Sequence, residues 1–154
     1  MAYILSLTEI PWWYFLIEIG IVIVLVLTTK KWDFSLLAGY MFLVFAYTVL
    51  MRTPQSTHKV ADVPFWSYLA LFGLHQSPVP FKRLLMQMIA NILMFIPIGL
   101  FAGSIFRWKG IIIGVVFSVC IELLQLFGNL GLFEFDDIFH NSLGAAIGVS
   151  LICA

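Results

Sequence analysis

The sequence predicts an all-α polytopic membrane helix bundle. About five transmembrane helices are expected, with an interfacial or re-entrant segment between the second and third. Three observations carry that reading. Hydrophobic residues make up 62% of the 154, charged residues only 10%, and mean hydropathy is +1.06. Soluble domains carry roughly 25% charged residues, and a fold of this length cannot hide so much apolar surface. The apolar residues also gather in runs close to the roughly 20 that a spanning helix needs. Finally, eight Lys+Arg balance eight Asp+Glu, so the formal net charge is zero. No basic footprint for a phosphate backbone exists, which excludes nucleic-acid binding. The same composition excludes a soluble globular enzyme and a disordered chain.

The first span is Trp12 to Thr29, with Trp12, Trp13 and Tyr14 as an aromatic anchor and Lys30-Lys31 at the far interface. It reads as a retained span and not as a cleavable signal, because no basic region precedes it and Glu9 and Glu18 flank or enter it. The second is Phe34 to Met51, closed by Arg52 and Pro54. The third is Leu84 to Phe106, set between Lys82-Arg83 and Arg107/Lys109. Pro97 inside it removes a backbone donor and frees the Leu93 carbonyl, so a kink is expected there. The fourth is Gly110 to Phe127 and the fifth Ile138 to Cys153. Gly99/Gly103, Gly110/Gly114 and Gly144/Gly148 are small-xxx-small pairs, which let helix backbones approach closely in lipid. Cys120 and Cys153 read as small core hydrophobes, with neither zinc spacing nor a disulfide framework.

Between the second and third spans runs a long connection, Arg52 to Arg83. Its first part, RTPQSTHKVADVP, is polar; its second, FWSYLALFG, is apolar but too short to cross. An interfacial or re-entrant helix follows, since a soluble lid would expose Phe65, Trp66, Tyr68, Leu69, Leu71 and Phe72 to water.

Alternating spans place the polar residues on one side. Glu18, Arg52, Gln87, Asn91, Glu122, Gln125, Asp136, Asp137, His140 and Asn141 all fall in the same half of the bundle. The other side shows only short turns with Lys30, Lys31, Asp33, Arg107 and Lys109. A charge at the bilayer centre costs about 2.5–3.5 kcal/mol even on lenient scales. Such residues therefore face the bundle interior, pair, or line a wet cavity. Gln87/Asn91, Glu122/Gln125 and Asp137/Asn141 each share a helix face at three- or four-residue spacing. The fork of Arg52 suits Glu122 or Asp137. Two readings follow: a polar plug that fastens helices, or a cavity that takes a polar head group. Glu134, Asp136 and Asp137 form an oxygen-rich set that could hold a divalent cation, though a solvated loop is the commoner use of three acids and no metal site is assigned. Asp137 and His140 could form an acid–base pair. Whether Glu18 and His140 belong to the site is left open.

Several strings together resemble the VanZ-like family of bacterial membrane proteins. They are NILMFIPIGLF at 91–101, IELLQLF at 121–127, FDDIFHNSLGAAIG at 135–148, and Arg52 followed by VPF at 63–65. The resemblance covers roughly Tyr47 to Ala154, leaving 1–46 as N-terminal spans outside it and 47–154 as the VanZ-like part of a single bundle. It implies a bacterial protein linked to tolerance of glycopeptide antibiotics, teicoplanin in particular. Carried over by motif, Arg52, Asn91, Glu122, Gln125, Asp136, Asp137 and Asn141 match the family's polar positions. One departure stands out: FGNLGLFEFDD lacks the Arg that the family usually carries after its Glu-x-x-Gln segment, so Arg52, Lys82 or Arg83 would have to supply a cation there.

Cations are densest in the short turns with Lys30, Lys31, Arg107 and Lys109, which makes that side cytoplasmic. The expectation is a multi-pass protein of the bacterial plasma membrane, with the N-terminus and polar cluster outside and the C-terminus inside. Its leading function is to bind or modify a lipid-linked or cell-envelope head group at the outer leaflet. Arg52 would engage phosphate or carboxylate, Asn91, Gln125 and Asn141 would orient polar groups, and Glu122 and Asp137 would act as counter-charges or acid/base. Membrane lipids, a lipid-linked cell-wall intermediate or a glycopeptide are the expected partners, and the small size favours a homo-oligomer. The alternatives are a membrane enzyme of lipid or isoprenoid phosphate chemistry with Asp136 and Asp137 on Mg²⁺, and a structural accessory subunit without a ligand. The sequence leaves catalysis and cofactor open.

Overall fold

Helices α1 to α5 account for most of the computed structural model, which describes residues 16, 17, 19–21, 23, 24, 31–54, 59–61, 63–74, 76 and 80–154. Most of the first expected span, Trp12–Thr29, lies outside the described residues, as do Glu18, His58 and His75; the described positions between 16 and 24 are helical. Helix α1 (Trp32–Phe45) starts with Asp33 in its first turn, where a carboxylate suits the positive helix end. It runs directly into a π-helical turn, Ala46–Leu50, in which the Met51 amide reaches the Ala46 carbonyl at 2.9 Å. The Thr48 hydroxyl donates to the Val44 carbonyl at 2.7 Å and stiffens the approach to that turn.

After the polar connection comes the short helix α2 (Trp66–Leu71), inside the stretch expected to form an interfacial segment. Helix α3 spans Phe81–Phe106, about 39 Å at 1.5 Å per residue. A 3-10 turn, Arg107–Lys109, joins it to α4 (Gly110–Phe127), and α5 covers Phe135–Cys153. The bounds of α4 are those expected. Helices α3 and α5 each begin three residues earlier than their apolar runs. Pro80, with its fixed φ, sits immediately before α3, and Asp136 and Asp137 occupy the first turn of α5, where they favour helix. The segments Trp32–Leu50 and Phe81–Phe127 are long and apolar enough to cross a membrane.

The glycine pairs are where helices touch. A Cβ on Gly144 would strike the Ile92 carbonyl, one on Gly148 the Ile96 carbonyl, and one on Gly99 the Ala145 carbonyl. Helices α3 and α5 therefore cross backbone against backbone, which only a missing side chain permits. Around that crossing Phe95, Ile98, Ala102, Ile121 and Ala145 pack with Leu37 and Val44 of α1 and Val49 of the π-helical turn. Helix α3 is continuous through Pro97. Near the proline, the Tyr40 hydroxyl of α1 donates to the Met94 carbonyl at 3.1 Å, one residue past the carbonyl that Pro97 frees, and ties α1 to α3 there.

Outside that core many large apolar side chains face outward, and some small polar ones are enclosed. Leu93, Ile112, Val116 and Leu151 are exposed, whereas Ser35 and Ser118 are fully buried. Cys120 is also exposed and Cys153 half-buried, both free thiols. The expectation that they pack in the core is corrected: they sit toward the outer, apolar faces. One further feature had no signal in the sequence. Lys59–Val60 (β1) and Leu132–Phe133 (β2) pair in parallel, Lys59 opposite Leu132 and Val60 opposite Phe133. This two-residue ladder ties the long connection to the α4–α5 loop.

Candidate functional site

The carboxylates cluster where the α4–α5 loop meets the start of α5. Asp136 comes first because it is almost wholly buried, 1% exposed. Its Oδ1 accepts the Phe65 amide N–H at 2.5 Å, and its Oδ2 accepts the Ser67 amide N–H at 2.8 Å and the Ser67 hydroxyl. Phe65 precedes α2 in the left-handed region, φ 59°. A carboxylate 71 residues away in sequence thus holds the turn that starts α2. Aromatic rings seal the junction: Phe65 meets Phe135 and Phe139 edge-on at 5.4 and 5.6 Å, and Tyr68 meets Phe139 at 6.3 Å.

Helix α3 presents Gln87 and Asn91 to the same end. The Asn91 amide donates to Asp137 at 2.7 Å, and that of Gln87 to Glu134 at 3.1 Å. Glu122, 2% exposed on α4, accepts the Glu134 amide N–H at 3.1 Å. Arg52, half-buried just past the π-helical turn, lies within electrostatic reach of both Asp137 and Glu122. Its guanidinium packs over buried Gly131, where a Cβ would lie 2.6 Å from Nη1. The glycine keeps that space clear, and the β1–β2 ladder beside it holds the two segments together.

The remaining predicted residues fasten helices to one another. Gln125 donates to the Thr48 carbonyl at 3.0 Å, linking α4 to the π-helical turn. Asn141 donates to the Ser118 hydroxyl at 2.9 Å, linking α5 to α4. His140, 1% exposed, pairs through Nε2 with the Tyr68 hydroxyl at 2.9 Å. The suggested Asp137–His140 acid–base pair is therefore corrected: Asp137 turns to Asn91 and His140 to α2. The three acids weighed for a cation also diverge, Glu134 toward Gln87, Asp136 toward Ser67 and Asp137 toward Asn91. Among the described residues no three His, Cys, Asp or Glu are grouped to hold a metal ion.

Electrostatics reflect the crowding. Burial, followed by the charges of Asp137, Glu122 and Asp136, pushes the Glu134 carboxyl up to about 8. The buried indole N–H of Trp66 faces the same carboxylate and opposes that rise. Burial and the nearby Asp136 charge also raise the Tyr68 hydroxyl above its ordinary value.

Of the seven predicted residues, Arg52, Asn91, Glu122 and Asp137 converge on one spot together with Gln87 and Glu134. Asp136 lies beside them but is occupied by α2, and Gln125 and Asn141 serve interhelical bonds. The sequence reading passed over Ser67, Tyr68, Thr48, Ser118 and Gly131. A serine or threonine inside an apolar run was the available signal for the hydroxyls; Gly131, in a glycine-containing turn, had none.

A mostly helical chain, with two segments long and apolar enough to cross a membrane and a carboxylate-rich polar end, defines the class: an apolar helix bundle. The VanZ/LLP1 family model matches residues 21–154, so the chain belongs to that family. The match takes in the strings at 91–101, 121–127 and 135–148 and the apolar runs before them. No curated protein and no solved structure matches the chain.

Proposed function

We propose that this VanZ-family chain crosses the bacterial plasma membrane several times and binds or modifies a lipid-linked or cell-envelope head group at the outer leaflet. The outward-facing apolar residues support the membrane reading, because exposed Leu, Ile and Val on successive helices are stable against acyl chains and not against water. The cation-dense turns with Lys31, Arg107 and Lys109 favour a cytoplasmic location for the opposite end.

One observation carries the head-group reading. The polar end has a buried floor and an accessible rim. Glu122, Glu134 and Asp136 form the floor; Arg52, Gln87, Asn91 and Asp137 are only half-buried. The rim offers a planar cationic fork, two amides and a carboxylate, a set that can grip an anionic or amide-bearing group. Arg52 binds the anion, Asn91 and Gln87 orient it, and Asp137 balances the charge. The family's association with teicoplanin points to a cell-wall intermediate, or the glycopeptide itself, as the source of that group. A second reading, the fastening plug, is favoured by the interhelical bonds of Gln125 and Asn141.

Arg52→Ala separates the two. Under the head-group reading it abolishes teicoplanin tolerance while membrane levels and melting temperature in detergent stay near wild type. Full tolerance in a correctly inserted Arg52→Ala protein overturns the reading; loss of tolerance only in step with loss of folding favours the plug.

A further inference from the structure

The end of the molecule opposite the carboxylates carries a separate feature. Lys31, Trp32, Asp33 and Phe34 at the start of α1 and Ile105 and Phe106 at the end of α3 line a hollow of ≈ 570 Å³. Its walls are mostly apolar. Lys31 is at one edge; Arg107 follows Phe106 directly and Lys109 lies two residues on, both in the exposed 3-10 turn. Lys31 and Asp33 are the charged residues of the lining; Arg107 and Lys109 stand just outside it, in the turn that follows Phe106. Trp32 and Trp108 are exposed at the same level, where indoles mark a membrane interface.

Arg107 adds an independent observation. Its backbone sits at φ 56°, ψ −141°, a conformation that glycine adopts freely and that costs another residue roughly 1–3 kcal/mol. That conformation ends α3 and turns the chain into Arg107–Lys109, where the Arg107 side chain stands exposed.

We propose that this hollow binds one phospholipid with an anionic head group. An acyl chain lies against Trp32, Phe34, Ile105 and Phe106, and the head-group phosphate meets Arg107, Lys109 and Lys31. A basic pocket between helices at the cytoplasmic surface is where anionic lipids bind, and a hollow with apolar walls and cations beside it suits an amphiphile better than a free phosphate ion. The inference requires membrane insertion but not the head-group site around Arg52.

Native mass spectrometry of the full chain, released from micelles holding phosphatidylglycerol and phosphatidylcholine of equal chain length, tests it. The wild type retains one phosphatidylglycerol in preference to phosphatidylcholine. At about five-fold per cation, a Lys31→Ala/Arg107→Gly/Lys109→Ala protein loses on the order of 100-fold in that preference. Arg107→Gly alone, which relieves the backbone and so stays folded, lowers it about five-fold. Arg52→Ala leaves it unchanged, which separates this site from the other end of the molecule. Equal retention of the two lipids by the wild type, or wild-type preference in Arg107→Gly, overturns the proposal.

Discussion

Replacing Asp136 with alanine tests whether α2 is docked by a carboxylate from α5. The wild-type side chain accepts two amide N–H groups, from Phe65 and Ser67, and the Ser67 hydroxyl, in a site from which water is excluded. Bonds to an ionised acceptor contribute about 1.5–3 kcal/mol each, and a buried donor stripped of its acceptor costs about 1–3 kcal/mol. Taking the low end for three bonds gives about 4.5 kcal/mol. The Tyr68–His140 pair and the Phe65–Phe135–Phe139 rings remain, so the loss falls on local docking before it falls on the whole bundle. Amide hydrogen exchange across Val63–Leu74 reads this directly. Asp136→Ala should accelerate exchange at Phe65 and Ser67 by about 10³-fold, since each 1.4 kcal/mol is a factor of ten, while the amides of α3 keep their protection. Asp136→Asn, which retains one acceptor oxygen but turns an amide N–H toward a donor, should fall between. Exchange at 63–74 within a few-fold of wild type in Asp136→Ala would show that apolar packing alone docks α2, and the reasoning would fail.

Three further outcomes follow from the packing and charge. Gly148→Leu drives a branched side chain into the Ile96 carbonyl and should destabilise by about 3 kcal/mol or more, read as loss of folded protein on size exclusion in detergent; wild-type melting would refute the backbone crossing. Glu134 should make stability fall as pH rises. Its carboxyl ordinarily titrates near 4.5 and is pushed to about 8 in the fold, so between those values the folded chain keeps a proton that the unfolded chain loses. The melting temperature should therefore drop from about pH 5 to about pH 8, and Glu134→Gln, permanently neutral, should flatten part of that slope. Gly131→Ala should displace the Arg52 guanidinium, which lies 2.6 Å from the added carbon, and reduce tolerance in the same direction as Arg52→Ala, with little change in melting.

Much of this arrangement was legible from spacing. Runs of about twenty apolar residues located the long helices, because the rise per residue fixes what can cross. The glycine pairs located the α3–α5 crossing, because small residues are what such contacts require. Helix-face spacing pointed Asn91, Glu122 and Asp137 inward, since polar side chains on separate apolar helices share one interior. What was not legible has a common cause. The partner of Asp136 lies 69–71 residues away and is largely a backbone N–H, which every residue owns and no composition reveals. The π-helical turn, the two-residue ladder and the left-handed Phe65 are likewise backbone events. The pairing of His140 with Tyr68 in place of Asp137 depended on where α2 docks, and a six-residue helix of apolar residues carries no signal for its docking site.

The polar end need not be either fastening or site. Glu122 and Asp137 lie within electrostatic reach of Arg52, while Glu134 stands against Asp137, Glu122 and Asp136, so negative charge exceeds positive there. The raised Glu134 carboxyl shows one way in which the fold relieves that imbalance: it keeps a proton. The groups deepest in the fold, Glu122 and Asp136, are satisfied by backbone N–H donors from the loop and from α2, so their bonds fix the positions of those segments. Fixing them sets Gly131 beneath Arg52 and leaves Asn91 and Asp137 at the rim. A rim held this firmly loses little entropy when it receives a ligand. The plug, on this argument, is the scaffold that pre-organises the site, and substitutions should divide by depth: floor residues change stability first, rim residues change tolerance first.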